Sequence, residues 1–148
     1  MRAGDLAAPF PTVGTDTLAV DAARLLATRN LPGLIVVDAR DRPLTILPST
    51  QVLRMAVPQY IQDDPPLARV VDEAAADVFL EELGSRTVAE VLPDKPRELP
   101  VVGEAATVLE IAALMARTRT PLVAVVGRDQ ALLGAVTLDA LLDRLVGT

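Results

Sequence analysis

The clearest chemical arrangement in this 148-residue chain is the stretch "GAVTLDALL", residues 134 to 142. An apolar strand led by Gly134 ends in the hydroxyl of Thr137, a helix begins there, and Asp139 falls in its first turn. Such a junction points free backbone N–H groups out of the helix start, where they can hold an anion. Two readings are open for Thr137, a helix cap or a ligand contact. Asp139 is likewise either a first-turn acid favoured by the helix dipole or part of a site.

Little else in the chain could do covalent or acid-base chemistry. It has no cysteine and no histidine, which removes disulfides, thiol nucleophiles, the usual zinc sites and the Ser-His-Asp arrangement. No clustered carboxylates within either repeat motif stand in for them, so an enzyme is not expected. A net charge of −6 argues against a nucleic-acid surface, which needs clustered Lys and Arg. Aromatics are limited to Phe10, Tyr60 and Phe79, too few for a base-stacking platform of the single-strand-binding kind. Arg117, Arg119 and Arg128 are the basic residues that could meet a phosphate near the junction; solvated arginines are the plainer reading. Lys95 is the only lysine among 14 basic residues, which fits a high-GC bacterial genome. No run approaches the ~18 apolar residues of a membrane span, and "MRAGDLAAPF" lacks the apolar core of a secretory signal. A cytoplasmic protein without membrane insertion is predicted.

The elements that position the junction occur twice. Setting Val13 against Val102 gives an offset of 102 − 13 = 89 that runs without a gap to Val57 and Val146. Along it Pro11 meets Pro100, Gly14 meets Gly103, Pro32 meets Pro121, and Val36-Val37 meet Val125-Val126. Each copy opens with a short extended segment, "PTV" or "PVV". A helix follows, its apolar face carried by Leu18, Ala22, Leu25 and Leu26 or by Val108, Ile111, Ala112 and Met115. Thr107 and Glu110 have capping-box spacing at the second of these helices. The runs "LIVVD" and "LVAVV" are continuous rather than alternating, as in strands buried on both faces. Turns, then "LTIL" or "LLGAVT", then a last helix complete a strand-helix-strand-strand-helix unit. Residues 1–57 and 87–148 hold the two units. Between them, residues 58–86 read as a linker with a helix within 66–83, started at Pro66 and stopped at Gly84. Its apolar stripe is Val71, Ala74, Val78 and Leu83, and its acids Asp72, Glu73, Asp77, Glu81 and Glu82 form a solvated face.

A tandem of βαββα units with "LPGLIVVD" before the second strand and "GAVTLDALL" closing the unit resembles the CBS domain family in its paired form, the Bateman module. "RAGDLAA" and "TVAEVLP" match as lead-in segments, so the resemblance covers nearly the whole chain. It implies an α/β (α+β) fold in which two repeats pack with pseudo-twofold symmetry and leave clefts between them. It also implies that AMP, ADP, ATP or S-adenosylmethionine is the regulatory ligand, with no cofactor required. The family's ligand motif is a Gly-led strand, a Ser or Thr near phosphate, and an Asp three residues later for the ribose. The second repeat keeps Gly134 and Thr137 but has Ala140 at the Asp position, and Asp139 stands one residue early, about 100° around the helix. The first repeat has Thr45, Pro48 and Gln51 in those places, with Ser49 and Thr50 out of register. Gln51 either bonds ribose or base or is an exposed first-turn residue.

Further contacts implied by the resemblance are Thr12, Val13, Leu34 and Ile35 with their mates Val101, Val102, Leu122 and Val123; core packing is the plainer reading for these strand residues. The expected function is a stand-alone regulatory module that senses an adenine nucleotide or adenosyl ligand and modulates a protein partner. The alternative is a degenerate pair that binds no nucleotide and serves as a dimerisation or protein-interaction element. The resemblance implies a homodimer in either case.

Overall fold

The repeat offset carries through to the backbone. The computed structural model describes residues 1–57, 59–70, 77, 81 and 83–147. In the first repeat, α1 (Ala3–Leu6) leads into β1 (Thr12–Gly14), α2 (Ala19–Arg29), β2 (Gly33–Val37), β3 (Pro43–Pro48) and α3 (Ser49–Ala56). A short α4 (Gln59–Asp63) and a 3-10 helix (Pro65–Val70) follow. The second repeat runs α5 (Val88–Val91), β4 (Val101–Gly103), α6 (Val108–Thr118), β5 (Leu122–Val126), β6 (Leu132–Thr137) and α7 (Leu138–Val146). From β1 and β4 onward the starts of matching elements differ by the offset read from the sequence. Even the left-handed residues agree: Asn30 (φ 53°) and Arg119 (φ 54°) end the first long helices, and Asp41 (φ 60°) and Gln130 (φ 66°) turn the hairpins.

The strands form two three-stranded sheets, ordered β1-β2-β3 and β4-β5-β6. In the second, β5 pairs parallel to β4, with α6 as the crossover, and antiparallel to β6; Leu122 faces Thr137 and Val125 faces Gly134. A register shift follows at Val125/Val126. By packing, the chain divides into one unit of Met1–Thr12, Ile35–Ile46 and Arg97–Thr148 and another of Val13–Leu34 and Leu47–Pro96.

In the first unit the continuous apolar run of β5 serves two cores, because alternate side chains of a strand point to opposite faces. Val123 and Val125 pack with Val102, Ile111, Met115, Val136 and Leu141. Leu122 and Ala124 pack with Ile35, Val37, Ile46 and Leu99. In the second unit Ala19, Ala22 and Leu26 of α2, Val52 of α3 and Val88 and Val91 of α5 are buried, and the three helices pack on one another.

The lead-ins are exchanged. α1 packs on β4 and β6 of the second repeat, while α5 packs on α2 and α3 of the first. Ala3, Leu6 and Ala7 join the core of the second repeat, Ala3 N donates to Ala106 O at 2.8 Å, and Ala8 and Ala135 form an antiparallel bridge. On the other side Val88 N donates to Thr17 O at 2.7 Å, and Leu18 bridges Thr87. At both lead-in helices the N–H of the N-cap residue is tied to an acid three residues on, Arg2 N to Asp5 Oδ2 (2.9 Å) and Thr87 N to Glu90 Oε1 (3.3 Å).

The Thr107 cap forms as its spacing predicts, with Glu110 N donating to Thr107 Oγ1 at 3.1 Å. The linker departs from its reading at Pro65–Val70, which is a 3-10 turn rather than the start of an α-helix. Consecutive prolines at 65 and 66 remove two backbone donors there. Leu83 is buried and the helical backbone ends at Gly84. Val71, Ala74, Val78 and most of the acidic face lie outside the described residues.

Candidate functional site

At the β6–α7 junction the residues of the motif are already engaged by the protein. Thr137 is the N-cap of α7, its Oγ1 accepting from Ala140 N at 3.2 Å. Leu138 N donates to Pro121 O at 2.9 Å. Two of the first three N–H groups of the helix thus have internal partners, which answers much of the demand an anion would meet. The first repeat shows the same device in part: Ser49 N donates to Pro32 O at 3.0 Å, but Pro48 at the cap has no side-chain acceptor.

Gly134 is required by backbone. A Cβ there would lie 2.7 Å from Ala8 O and 3.1 Å from Ala8 C, because the lead-in of the first repeat runs directly over it. Ala8 N donates to Ala135 O (3.0 Å) and Ala135 N to Ala8 O (2.9 Å). A strand glycine at a close backbone approach is the expected signature.

That crossing forms one wall of a cavity of about 290 Å³ lined by Pro9, Phe10, Thr12, Val37, Asp41, Leu132, Leu133 and Gly134. It is near the lower edge of small-molecule pockets, about 300–1,000 Å³. Two residues singled out in the sequence, Thr12 and Gly134, meet here. Two others, Phe10 and Asp41, were not anticipated as contacts; a lone aromatic beside a proline and an Asp in a hairpin turn were the available signals. The turn holding Asp41 is firmly built. Asp38 Oδ1 accepts from Arg40 N (2.8 Å) and Arg42 N (3.0 Å), and Arg42 Nε donates to Asp38 Oδ2 at 3.0 Å. The Arg42 N–H bond lowers the Asp38 pKa below the usual carboxylate value, the Arg40 N–H and the Arg42 guanidinium add to the effect, and desolvation opposes it. Asp41 N donates to Asp38 O (3.0 Å), and Asp41 O accepts from Leu132 N (2.8 Å).

The remaining sequence candidates are dispersed. Leu34, Ile35, Leu122 and Val123 are wholly buried and Val13 and Val102 nearly so, whereas Val101 is 41% exposed. Gln51 is half-buried, and its Nε2 donates to Val91 O at 3.0 Å, closing the C-terminal end of α5. Asp139 is exposed on the first turn of α7, and Arg117, Arg119 and Arg128 are also exposed. Ser49 lines a different feature, a groove of about 310 Å³ between α2 and α3 with Ala23, Leu26, Ala27, Asn30, Leu31, Val52 and Leu53. Its counterpart between α6 and α7, about 430 Å³, is lined by the residues one offset on, among them Ala112, Met115, Leu138, Leu141 and Leu142, and extends to Leu145. Among the described residues no group of three or more His, Cys, Asp or Glu side chains is placed to hold a metal ion, and no helix is long and apolar enough to cross a membrane.

Comparison with known proteins agrees with this architecture. The family model of the CBS domain matches residues 88–147. A CBS domain-containing protein of unknown function from Kribbella flavida is 51% identical, with 99% of each chain covered and a TM-score of 0.90. The CBS-pair protein CBSX2 from Arabidopsis thaliana is 19% identical, with 99% of this chain and 94% of its own covered and a TM-score of 0.74. A structure of CBSX2 in complex with AMP matches at 20% identity, 99% and 96% coverage and a TM-score of 0.69. No curated protein sequence matches. Two three-stranded sheets built from one repeated unit define a tandem CBS module. The chain belongs to the CBS domain family.

Proposed function

We propose that this chain is a stand-alone, non-catalytic regulatory CBS pair of the cytoplasm, with repeats at 1–57 and 87–148, that senses an adenine nucleotide or adenosyl compound and passes the change to a protein partner. The observation that carries the reading is the cavity at Gly134, which gathers Thr12 and Gly134 with an aromatic wall, Phe10, and a carboxylate, Asp41. The AMP complex of CBSX2 supports the ligand class. The absence of Cys and His from the sequence supports a binding role over a catalytic one.

A homodimer belongs to the same reading. The two apolar helix grooves are repeats of one another, and they are flanked by exposed leucines, Leu53 on α3 and Leu138, Leu142 and Leu145 on α7. A second copy with the same faces would cover them by closed twofold symmetry.

A thermal-shift panel of AMP, ADP, ATP and S-adenosylmethionine tests the sensor. A ligand at 100 times its Kd adds about 2.7 kcal/mol to stability, which raises Tm by about 5–10 °C in a chain of this length. If none of the four shifts the transition at millimolar concentration, the sensor reading is wrong.

A further inference from the structure

We infer that two copies of the chain pair unlike to unlike: the α2–α3 groove of the first repeat receives the α7 face of the other copy's second repeat, and Arg54 meets Asp139 and Asp143 across the contact. The inference rests on the homodimer reading above and names which groove meets which. Charge carries it. On α7, Asp139, Leu142, Asp143 and Val146 are spaced i, i+3, i+4 and i+7, so they share one face, and all four are exposed. That face is an apolar strip edged by two carboxylates. One offset back, α3 carries Thr50, Leu53 and Arg54, also exposed. The arginine stands at the place of Asp143 and a neutral threonine at the place of Asp139. Among the described residues no salt bridge holds the Arg54 guanidinium.

Twofold pairing of like with like would bring the two carboxylates of one α7 against the same two of the other copy, and Arg54 against Arg54. Each is a repulsion between like charges in a partly desolvated contact. Pairing unlike grooves turns both repulsions into attractions, and a twofold operator forms the contact twice. Shape agrees with charge. Leu138 and Leu145 are 40% and 53% exposed along the α6–α7 groove. The α2–α3 groove, about 310 Å³, has Ser49 at the place of Leu138 and the short side chains of Ala23 and Ala27 on its wall. Large side chains on one surface thus meet small ones on the other, which suits the packing of ridges into grooves. Both arrangements cover the same four grooves, so the charged edge decides between them.

The chain has no cysteine, so single cysteines at exposed positions report the pairing directly. Leu53→Cys and Leu142→Cys, at positions 63% and 46% exposed, are treated with a short bis-maleimide, each alone and as an equimolar mixture left to exchange subunits. Circular dichroism and light scattering on both variants check that fold and dimer are kept. The expected result is a covalent dimer in the mixture and little in either variant alone. Strong cross-linking of either variant alone, or none in the mixture, overturns the inference while the dimer reading stands. A wild type that is monomeric by light scattering overturns both. Arg54→Glu should weaken the dimer about tenfold at low salt, and adding Asp143→Arg to the same chain should restore it. Unchanged affinity in Arg54→Glu, or no recovery in the double variant, removes the charges from the contact and overturns the inference.

Discussion

Gly134→Ala should destabilise the protein out of proportion to one methyl group. The new Cβ would sit 2.7 Å from Ala8 O and 3.1 Å from Ala8 C, with Ala7 Cβ at 3.4 Å. The two nearest atoms are backbone, which cannot swing aside as a flexible side chain would. Either β6 or the lead-in must retreat, and overpacking of this kind costs about 1–3 kcal/mol. If the lead-in lifts far enough to lose the paired Ala8–Ala135 bonds of 3.0 and 2.9 Å, about 1 kcal/mol is added for each. A loss of about 2–4 kcal/mol is the expected range. For a chain near 150 residues this lowers Tm by about 4–16 °C. Urea unfolding followed by circular dichroism measures it directly. Gly103→Ala is the control, since its Cβ would meet nothing within 4 Å, and it should be neutral to within about 0.5 kcal/mol. A Gly134→Ala protein as stable as the wild type would falsify the account of why glycine stands here. Because Pro9 and Phe10 follow the displaced segment, the same variant should also lose ligand affinity.

Thr137→Val removes the oxygen that accepts from Ala140 N and should lower stability by about 1 kcal/mol, seen as a Tm drop of about 2–4 °C; no change would mean the cap is dispensable. Asp38 is depressed below its ordinary value of 3.8, so its carboxylate favours the folded state. That contribution is complete above the unfolded value and is lost as pH falls through the lower folded one. Stability profiles from pH 5 down to pH 2 should therefore be flatter for Asp38→Asn than for the wild type, and parallel curves would refute the assignment. Leu142→Glu places a charge at the edge of the α6–α7 groove, at a position 46% exposed, and should convert a dimer to a monomer by light scattering while leaving the circular dichroism spectrum unchanged. A wild type that is already monomeric at tens of micromolar would refute the pairing.

Periodicity and punctuation reach far into this fold because both repeats use them alike. The valine-rich runs at 34–38 and 122–126, the prolines at 32 and 121 and the glycines at 14 and 103 locate the strands and their approach. Among the described residues, the non-glycine positions at which the chain turns left-handed are Asn30 and Asp41 in one copy and Arg119 and Gln130 in the other. What a linear pattern does not contain is the partner of each segment. "RAGDLAA" and "TVAEVLP" are recognisable as lead-ins, yet nothing in their spacing says that each packs on the opposite repeat. The same blindness explains Gln51, whose amide reaches Val91 O from forty residues away. It also explains Asp41 and Phe10, which belong to no motif and acquire a shared cavity only because the lead-in crosses β6. The motif residues themselves carry an ambiguity of chemistry: a threonine before a helix is a cap whether or not a ligand is present.

The crossing at Ala8 has a consequence for how the chain is made. Ala8 bonds Ala135, so during synthesis this lead-in leaves the ribosome well before the strand that it pairs with. The interval is about 130 residues, or roughly 6–25 s at ordinary translation rates. Throughout that time Leu6, Ala7 and Phe10 are carried as unpaired apolar sequence on the nascent chain. Completion of the second repeat is thus the event that locks the first ten residues, and with them the wall of the cavity. A ribosome stalled before β6 would display a chain whose Ala3–Phe10 lead-in is still open to proteolysis, and a chain in which both repeats have emerged would not.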